Sequence, residues 1–133
     1  MMPVHLRNEQ RRRLNLRRFK KEGEKLLEAL GLEDQVLSIL LTDDRRITQL
    51  HERWMEEPGP TDVLSFPMGS SGILGDIAIS VETAARRRPR AVEQETERYL
   101  IHGLLHLAGH DHVRKEDRLR MERLAHRLVA LLK

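Results

Sequence analysis

Four of the chain's seven histidines lie within eleven residues, His102-Gly-Leu-Leu-His-Leu-Ala-Gly-His-Asp-His112. His102 and His106 are four residues apart, so on a helix both rings project from one face and can bind a single metal ion. On an unbroken helix His112 would point away from that pair, but Gly109 can end the helix and let the chain turn back. Three imidazoles that leave one coordination position open are a catalytic arrangement for Zn²⁺. The segment therefore predicts one zinc ion per chain, bound by His102, His106 and His112.

The same offsets occur in the metalloprotease signature H-E-x-x-H-x-x-G-x-x-H, with one difference. Gly103 stands where a protease carries the glutamate that serves as its general base. The site is therefore expected to bind and polarise a substrate without the usual residue for activating water against a peptide. The alternative is a helix with scattered structural histidines, which would each need a hydrogen-bond partner when buried.

Composition limits the class of protein. The chain has 133 residues and no cysteine, so we expect a single domain over residues 1–133, without disulfides or thiolate metal sites. No apolar run approaches the length that spans a membrane, and the N-terminus lacks the apolar core of a signal peptide. These features predict a cytoplasmic protein without a membrane partner.

Positive charge is concentrated in two segments. Eight Arg or Lys residues and one acidic residue lie between Arg7 and Lys21, and Arg11, Arg12 and Arg13 form the centre of this cluster. A second cluster spans residues 86–90. Such clusters suit a phosphate-bearing partner, although a solvated helix face explains each of them equally well. Four aromatic residues are few for a base-stacking surface, so contacts with nucleic acid are expected to be mainly electrostatic.

Hydrophobic periodicity predicts an α/β fold, a small mixed β-sheet flanked by helices in the order β-α-β-α-β-β-α-α-α. Strands are predicted at Val4–Arg7, Gln35–Leu41, Val63–Phe66 and Ile77–Val81, with Pro67 ending the third. Helices are predicted at Leu14–Leu30, Asp43–Met55 with Thr42 as its cap, Glu82–Arg88, Val92–Ala108 and Lys115–Leu132. The last helix has its apolar positions at Leu119, Leu124, Leu128 and Leu131.

The histidine segment and two earlier segments, Pro60–Pro67 (PTDVLSFP) and Gly75–Ser80 (GDIAIS), together resemble the YbeY family of bacterial endoribonucleases. The chain matches the family's H-G-x-L-H-L-x-G-x-D-H throughout, and the resemblance extends from about the second strand to the last helix. It implies one Zn²⁺ bound by the three histidines and cleavage of single-stranded RNA. It also implies roles in 16S rRNA 3′-end maturation and ribosome quality control, with rRNA, the small ribosomal subunit and assembly factors as partners.

One position departs from the family pattern. Many members carry an arginine after the aromatic residue that matches Trp54, and the resemblance implies that this arginine lines the cleft. Here the position is Met55. Arg53, Arg45 or Arg46 could take the place of that arginine. Our candidates for RNA binding are Arg45 and Arg46, together with Arg11, Arg12 and Arg13.

Other cleft candidates have structural explanations beside functional ones. His110 is interpreted as a neighbour of the cleft rather than a fourth ligand, because a catalytic zinc keeps that position for water. Asp62 and Ser65 lie at strand ends, where their side chains can reach a cleft or serve turn chemistry.

The predicted function is a zinc-dependent, single-strand-specific endoribonuclease in rRNA processing, in which zinc polarises a phosphoryl oxygen or lowers the pKa of its bound water. No residue is identified as the general base, so attack by water or by the ribose 2′-hydroxyl stays open. The alternatives are another metallohydrolase, such as a peptidase, and a non-catalytic ribosome-assembly factor that contains zinc.

Overall fold

The computed structural model describes residues 3–57, 59, 61–70, 72–110 and 114–133, apart from the side chains of residues 69 and 70. The order of the elements is the predicted one. The strands are β1 (Val4–Asn8), β2 (Val36–Thr42), β3 (Val63–Ser70) and β4 (Ile73–Ser80). The helices are α1 (Leu16–Ala29), α2 (Asp44–Met55), α3 (Val81–Arg87), α4 (Val92–Leu107) and α5 (Lys115–Leu131).

The four strands form one mixed sheet in the order β1-β2-β4-β3, which confirms the predicted fold class. β1, β2 and β4 are parallel, whereas β3 runs antiparallel to β4 and forms an edge of the sheet. Helices connect the parallel neighbours because parallel strands need a long crossover, while β3 and β4 are adjacent in sequence and form a hairpin.

The two faces of the sheet are covered very differently. One face carries Leu37, Ile39 and Leu41 of β2 and packs with α1, α4 and α5 into the main core. The opposite face has a small core in which Ile47 of α2 meets Leu64 and Ala78. This unequal covering leaves part of the second face open.

The third strand does not end at Pro67, as the sequence predicted, but continues to Ser70. A proline is tolerated there because β3 is an edge strand and its register with β4 shifts between Pro67 and Ser70. Opposite Pro67 lies Gly75, which has a φ of 151°. A Cβ on Gly75 would lie 2.5 Å from the backbone oxygen of Phe66, so only glycine permits this close strand contact. β4 correspondingly begins at Ile73, four residues earlier than predicted.

Several predicted helix ends were wrong by one or two residues. Asn15 caps α1, and its side chain accepts a hydrogen bond from the Arg18 backbone N–H. Asp43 rather than Thr42 caps α2, because Thr42 still pairs with Ser80 in the sheet. Val81 begins α3 instead of ending a strand, since the Ser80 hydroxyl accepts the hydrogen bond of the Thr83 N–H.

The buried face of α5 also differs from the prediction. Leu119 and Leu131 are 39% and 37% exposed, and Met121 and Leu128 are the buried residues of this helix. None of the helices in the described part of the chain combines the length and the apolarity that crossing a membrane requires.

Candidate metal centre

The two histidines of α4 converge as their spacing predicted. Nε2 of His102 and Nε2 of His106 are 3.0 Å apart, with ring centroids separated by 4.6 Å and the rings inclined at 71°. Two imidazoles bound to one tetrahedral zinc ion at the usual Zn–N length would place these nitrogens about 3.3 Å apart. The donor set and its spacing therefore fit a zinc ion that the two side chains share.

The end of α4 follows the predicted reversal at Gly109. The helix ends at Leu107, and Gly109 has a φ of 94°, in the left-handed region. The Gly109 N–H donates to the His106 carbonyl at 3.1 Å, and the His110 N–H donates to the Leu105 carbonyl at 2.9 Å. These two bonds are the Schellman motif, which ends a helix and redirects the chain.

His112 lies outside the described residues, so its role as the third ligand stays a prediction. Within the described ranges, no group of three or more His, Cys, Asp or Glu side chains is placed to hold a metal. His110, by contrast, is described: it is partly buried directly after the helix end, and its backbone closes the Schellman motif.

Gly103 faces the sheet, whereas its neighbour His102 is exposed. A Cβ at this position would lie 3.0 Å from Cγ2 of Ile77 and 3.1 Å from Oγ of Ser65. The Ser65 hydroxyl donates to the Gly103 carbonyl at 3.1 Å. The absence of a side chain at Gly103 therefore has a packing reason that the sequence did not reveal. A glutamate at this position would have to enter the contact between α4 and the sheet.

The structure brings His102 and Asp62 to one cavity of about 460 Å³ between α4, α5 and the start of β3. The Asp62 carboxylate makes a strand-end hydrogen bond, as its structural interpretation predicted, and also an ion pair that the sequence did not predict. Its Oδ1 accepts from the Val63 N–H at 2.7 Å, and its Oδ2 accepts from the Arg87 guanidinium at 2.8 Å. Arg87 also donates to the Tyr99 hydroxyl at 3.2 Å. These bonds fix Arg87 in the cavity wall, and they raise its pKa further.

Tyr99 and Arg87 were not among the predicted site residues. Burial raises the pKa of the Tyr99 hydroxyl, against the opposing effect of the bond from Arg87, so Tyr99 stays neutral at physiological pH. The signal available in the sequence was weak, because the arginine cluster of residues 86–90 indicated a basic surface without showing that Arg87 bonds to Asp62 and Tyr99.

The arginines proposed for RNA binding do not gather around the histidine pair. Arg11, Arg12 and Arg13 are exposed and lie in the loop between β1 and α1, not on a helix. That loop is attached to the start of α4, because the Asn15 N–H donates to Glu93 at 3.0 Å. Glu93 precedes His102 by nine residues, which is about 14 Å along the helix.

Arg45, Arg46 and Arg53 are on α2, which packs on the opposite face of the sheet from α4. Arg46 lines a groove on that face, and the Arg53 guanidinium lies 5.4 Å from the ring centroid of Trp54. Met55, where the family pattern has arginine, is 41% exposed.

Residues 5–133 match the family described as Endoribonuclease YbeY. The chain belongs to this family. The Endoribonuclease YbeY of an Anaeromyxobacter species is 48% identical over 130 residues, which cover 92% of this chain and 68% of that protein. The Aquifex aeolicus protein of the same name is 41% identical over 109 residues, 77% of this chain and 73% of its own length. The relative from Anaeromyxobacter dehalogenans is longer: a match of 49% identity over 108 residues covers 76% of this chain and 56% of that protein.

The fold is also similar to a solved structure. The solution structure of a Thermotoga maritima protein superimposes with a TM-score of 0.68 at 25% sequence identity, covering 97% of this chain and 88% of that one. The comparisons confirm the family that the three sequence segments predicted, a family of endoribonucleases, and they confirm the α/β fold.

Proposed function

We propose that this protein is a zinc-dependent endoribonuclease that cleaves single-stranded RNA in 16S rRNA 3′-end maturation and ribosome quality control. The observation that supports zinc dependence is the separation of 3.0 Å between the Nε2 atoms of His102 and His106. Imidazole nitrogens at that distance suit one small cation. The proposed partners are rRNA, the small ribosomal subunit and assembly factors, in the cytoplasm.

In this proposal His102, His106 and His112 hold one zinc ion, which when bound supplies Lewis acidity toward a phosphoryl oxygen of the RNA. Gly103 lets α4 lie directly on Ile77 and Ser65, and this contact fixes the position of the histidine pair relative to the sheet. Gly109 turns the chain back immediately after the pair.

The cavity beside His102 provides groups that can contact the RNA backbone. Its wall contains the neutral Tyr99 hydroxyl and the Arg87 guanidinium, which Asp62 holds in place. Arg118 of α5 is exposed and lines the same cavity, so its guanidinium can contact a phosphate of the bound strand. Together these residues orient the RNA backbone and stabilise its negative charge.

Metal content tests the ligand assignment. Elemental analysis of the purified protein should give one zinc per chain, a loss of zinc in His106→Ala, and full retention in the matched control His110→Ala. Undiminished zinc in His106→Ala would overturn the assignment.

Activity is tested on the same preparation with three substrates, a single-stranded RNA, an RNA duplex and an unstructured peptide pool, each with and without chelator. We expect chelator-sensitive cleavage of the single strand alone. Chelator-sensitive peptide cleavage with intact RNA would support a peptidase instead. Bound zinc without cleavage of any substrate would support the assembly factor.

A further inference from the structure

The open part of the sheet's second face forms a groove of about 920 Å³. Its floor is made by side chains of all four strands, and its walls by α2 and by Lys20 of α1. The groove is separate from the histidine pair, because α4 packs on the other face, where Gly103 meets Ile77 and Ser65. Among the residues that the structure describes, the linings of this groove and of the cavity beside His102 share no member.

Trp54 is the most exposed large apolar side chain that borders this groove. It is 61% exposed, although tryptophan is usually among the more buried residues, and it is the chain's only tryptophan. Met68, on the groove floor, is 49% exposed. The Arg53 guanidinium lies over the Trp54 ring, 5.4 Å from its centroid, so the exposed indole has a cation beside it.

The charges around the groove favour an anionic partner. Arg7, Lys20 and Arg46 line it, and Arg53 extends the positive charge at its rim. The acidic residues among the described lining are Glu9 and Asp76. Because Glu9 and Arg7 are paired with each other at 3.1 Å, the remaining charges are Lys20, Arg46 and Arg53 against Asp76. A polyanion with flat apolar groups matches a basic groove that ends at an exposed indole, since bases stack on aromatic rings while arginine and lysine contact phosphates.

We infer that this groove binds a second stretch of single-stranded RNA, with a base stacked on Trp54 and a phosphate on Arg46. The inference rests on the proposed function and names where the substrate's flanking nucleotides bind. Alternate residues of the edge strand β3 face the two regions: Ser65 contacts α4, whereas Phe66 lines the groove. A strand that passes over this edge can occupy the groove and the histidine region together.

The single tryptophan makes the inference directly measurable. Wild-type protein is titrated with a 2′-O-methyl oligouridine of twelve nucleotides, which cannot use a 2′-hydroxyl for cleavage, while Trp54 fluorescence is recorded. Stacking should quench the emission, and high salt should reverse the quenching. Removing one phosphate contact in Arg46→Ala should lower the log–log salt slope by about 0.7, whereas Arg123→Ala, which removes an exposed arginine of α5, should leave it unchanged.

Affinity is then measured by anisotropy of the labelled oligonucleotide. Trp54→Ala should weaken binding about 5- to 30-fold, and Trp54→Phe, which keeps a stacking ring, should restore most of the affinity. If Trp54→Ala fails to fold, the Arg46→Ala titration still decides, because its fluorescent reporter is intact.

Absent quenching together with unchanged affinity of Trp54→Ala would overturn the inference and would favour a protein partner for the groove. Failure of the inference can be distinguished from failure of the proposed function. RNA cleavage without quenching would support the nuclease function and contradict RNA binding in the groove. Quenching without cleavage would contradict the nuclease function and support RNA binding in the groove.

Discussion

Glu97 of α4 gives the protein a stability that depends on pH near neutrality. Burial, the negative charge of Glu22 and their mutual hydrogen bond together raise the pKa of Glu97 to about 7, with Glu93 adding to the effect and Arg18 opposing it. Glu22 is itself nearly buried, and its Oε1 is paired with Arg18 at 2.9 Å. Its buried Oε2 accepts no hydrogen bond from a described donor, and a proton on Glu97 can provide one to the Glu22 carboxylate.

The direction of the effect follows from the two pKa values. An unfolded glutamate has a pKa of 4.5, so between pH 4.5 and about 7 the folded chain keeps a proton that the unfolded chain has released. The contribution of Glu97 to the free energy of unfolding is complete below pH 4.5 and is lost as the pH rises through about 7. The difference between these two pKa values of Glu97 corresponds to at most about 3 kcal/mol in the free energy of unfolding. Because Glu97 is partly exposed to solvent, screening lowers the expected value to about 1–2 kcal/mol.

Glu97→Gln removes this titration and keeps a hydrogen-bond donor toward Glu22. We expect the variant to be about 1–2 kcal/mol more stable than wild type at pH 8, with the difference shrinking toward pH 5. Urea unfolding followed by circular dichroism at pH 5, 6, 7 and 8 measures it. Glu28→Gln, at an exposed position of α1, is the matched control and should give a constant offset. If the wild-type and Glu97→Gln profiles run parallel from pH 5 to 8, the shared proton does not exist.

Three further changes test other parts of the structure. Gly109→Ala should lower the free energy of unfolding by about 1–2 kcal/mol and weaken zinc binding; no atom crowds that position, so the cost is that of the left-handed backbone. Gly103→Glu should lower the free energy of unfolding by about 1–3 kcal/mol, measured by thermal unfolding, because the new side chain enters a packed contact. For the same reason it should create no peptidase activity. Replacing Arg11, Arg12 and Arg13 with alanine should reduce the log–log salt slope of RNA binding by up to about 2 units if all three contact phosphates; an unchanged slope would mean that this loop is merely solvated.

The predictions that succeeded depend on local backbone geometry. The spacing of four residues between His102 and His106 fixes their relative direction on any helix, and the glycine at 109 marks the helix end. The order of strands and helices followed in the same way from hydrophobic periodicity, because each element buries one face.

The predictions that failed depend on which elements become neighbours. The predicted end of β3 at Pro67 was wrong because the sequence does not show that this strand lies at an edge. Arg46 and Arg53 stay candidates, but the sequence does not show that α2 packs on the opposite face of the sheet from α4. The expectation of mainly electrostatic contacts with nucleic acid stays a prediction, but composition could not show that Trp54 is exposed.

The edge strand β3 also bears on how the protein behaves at high concentration. An edge strand exposes backbone groups that can pair with another copy and start aggregation. Pro67 brings no N–H to such a pairing, and the register of β3 with β4 shifts beyond it, which interrupts a regular ladder. Pro67 thus disfavours pairing of the β3 edge with a second copy of the chain. The same residue led to the wrong prediction of where β3 ends.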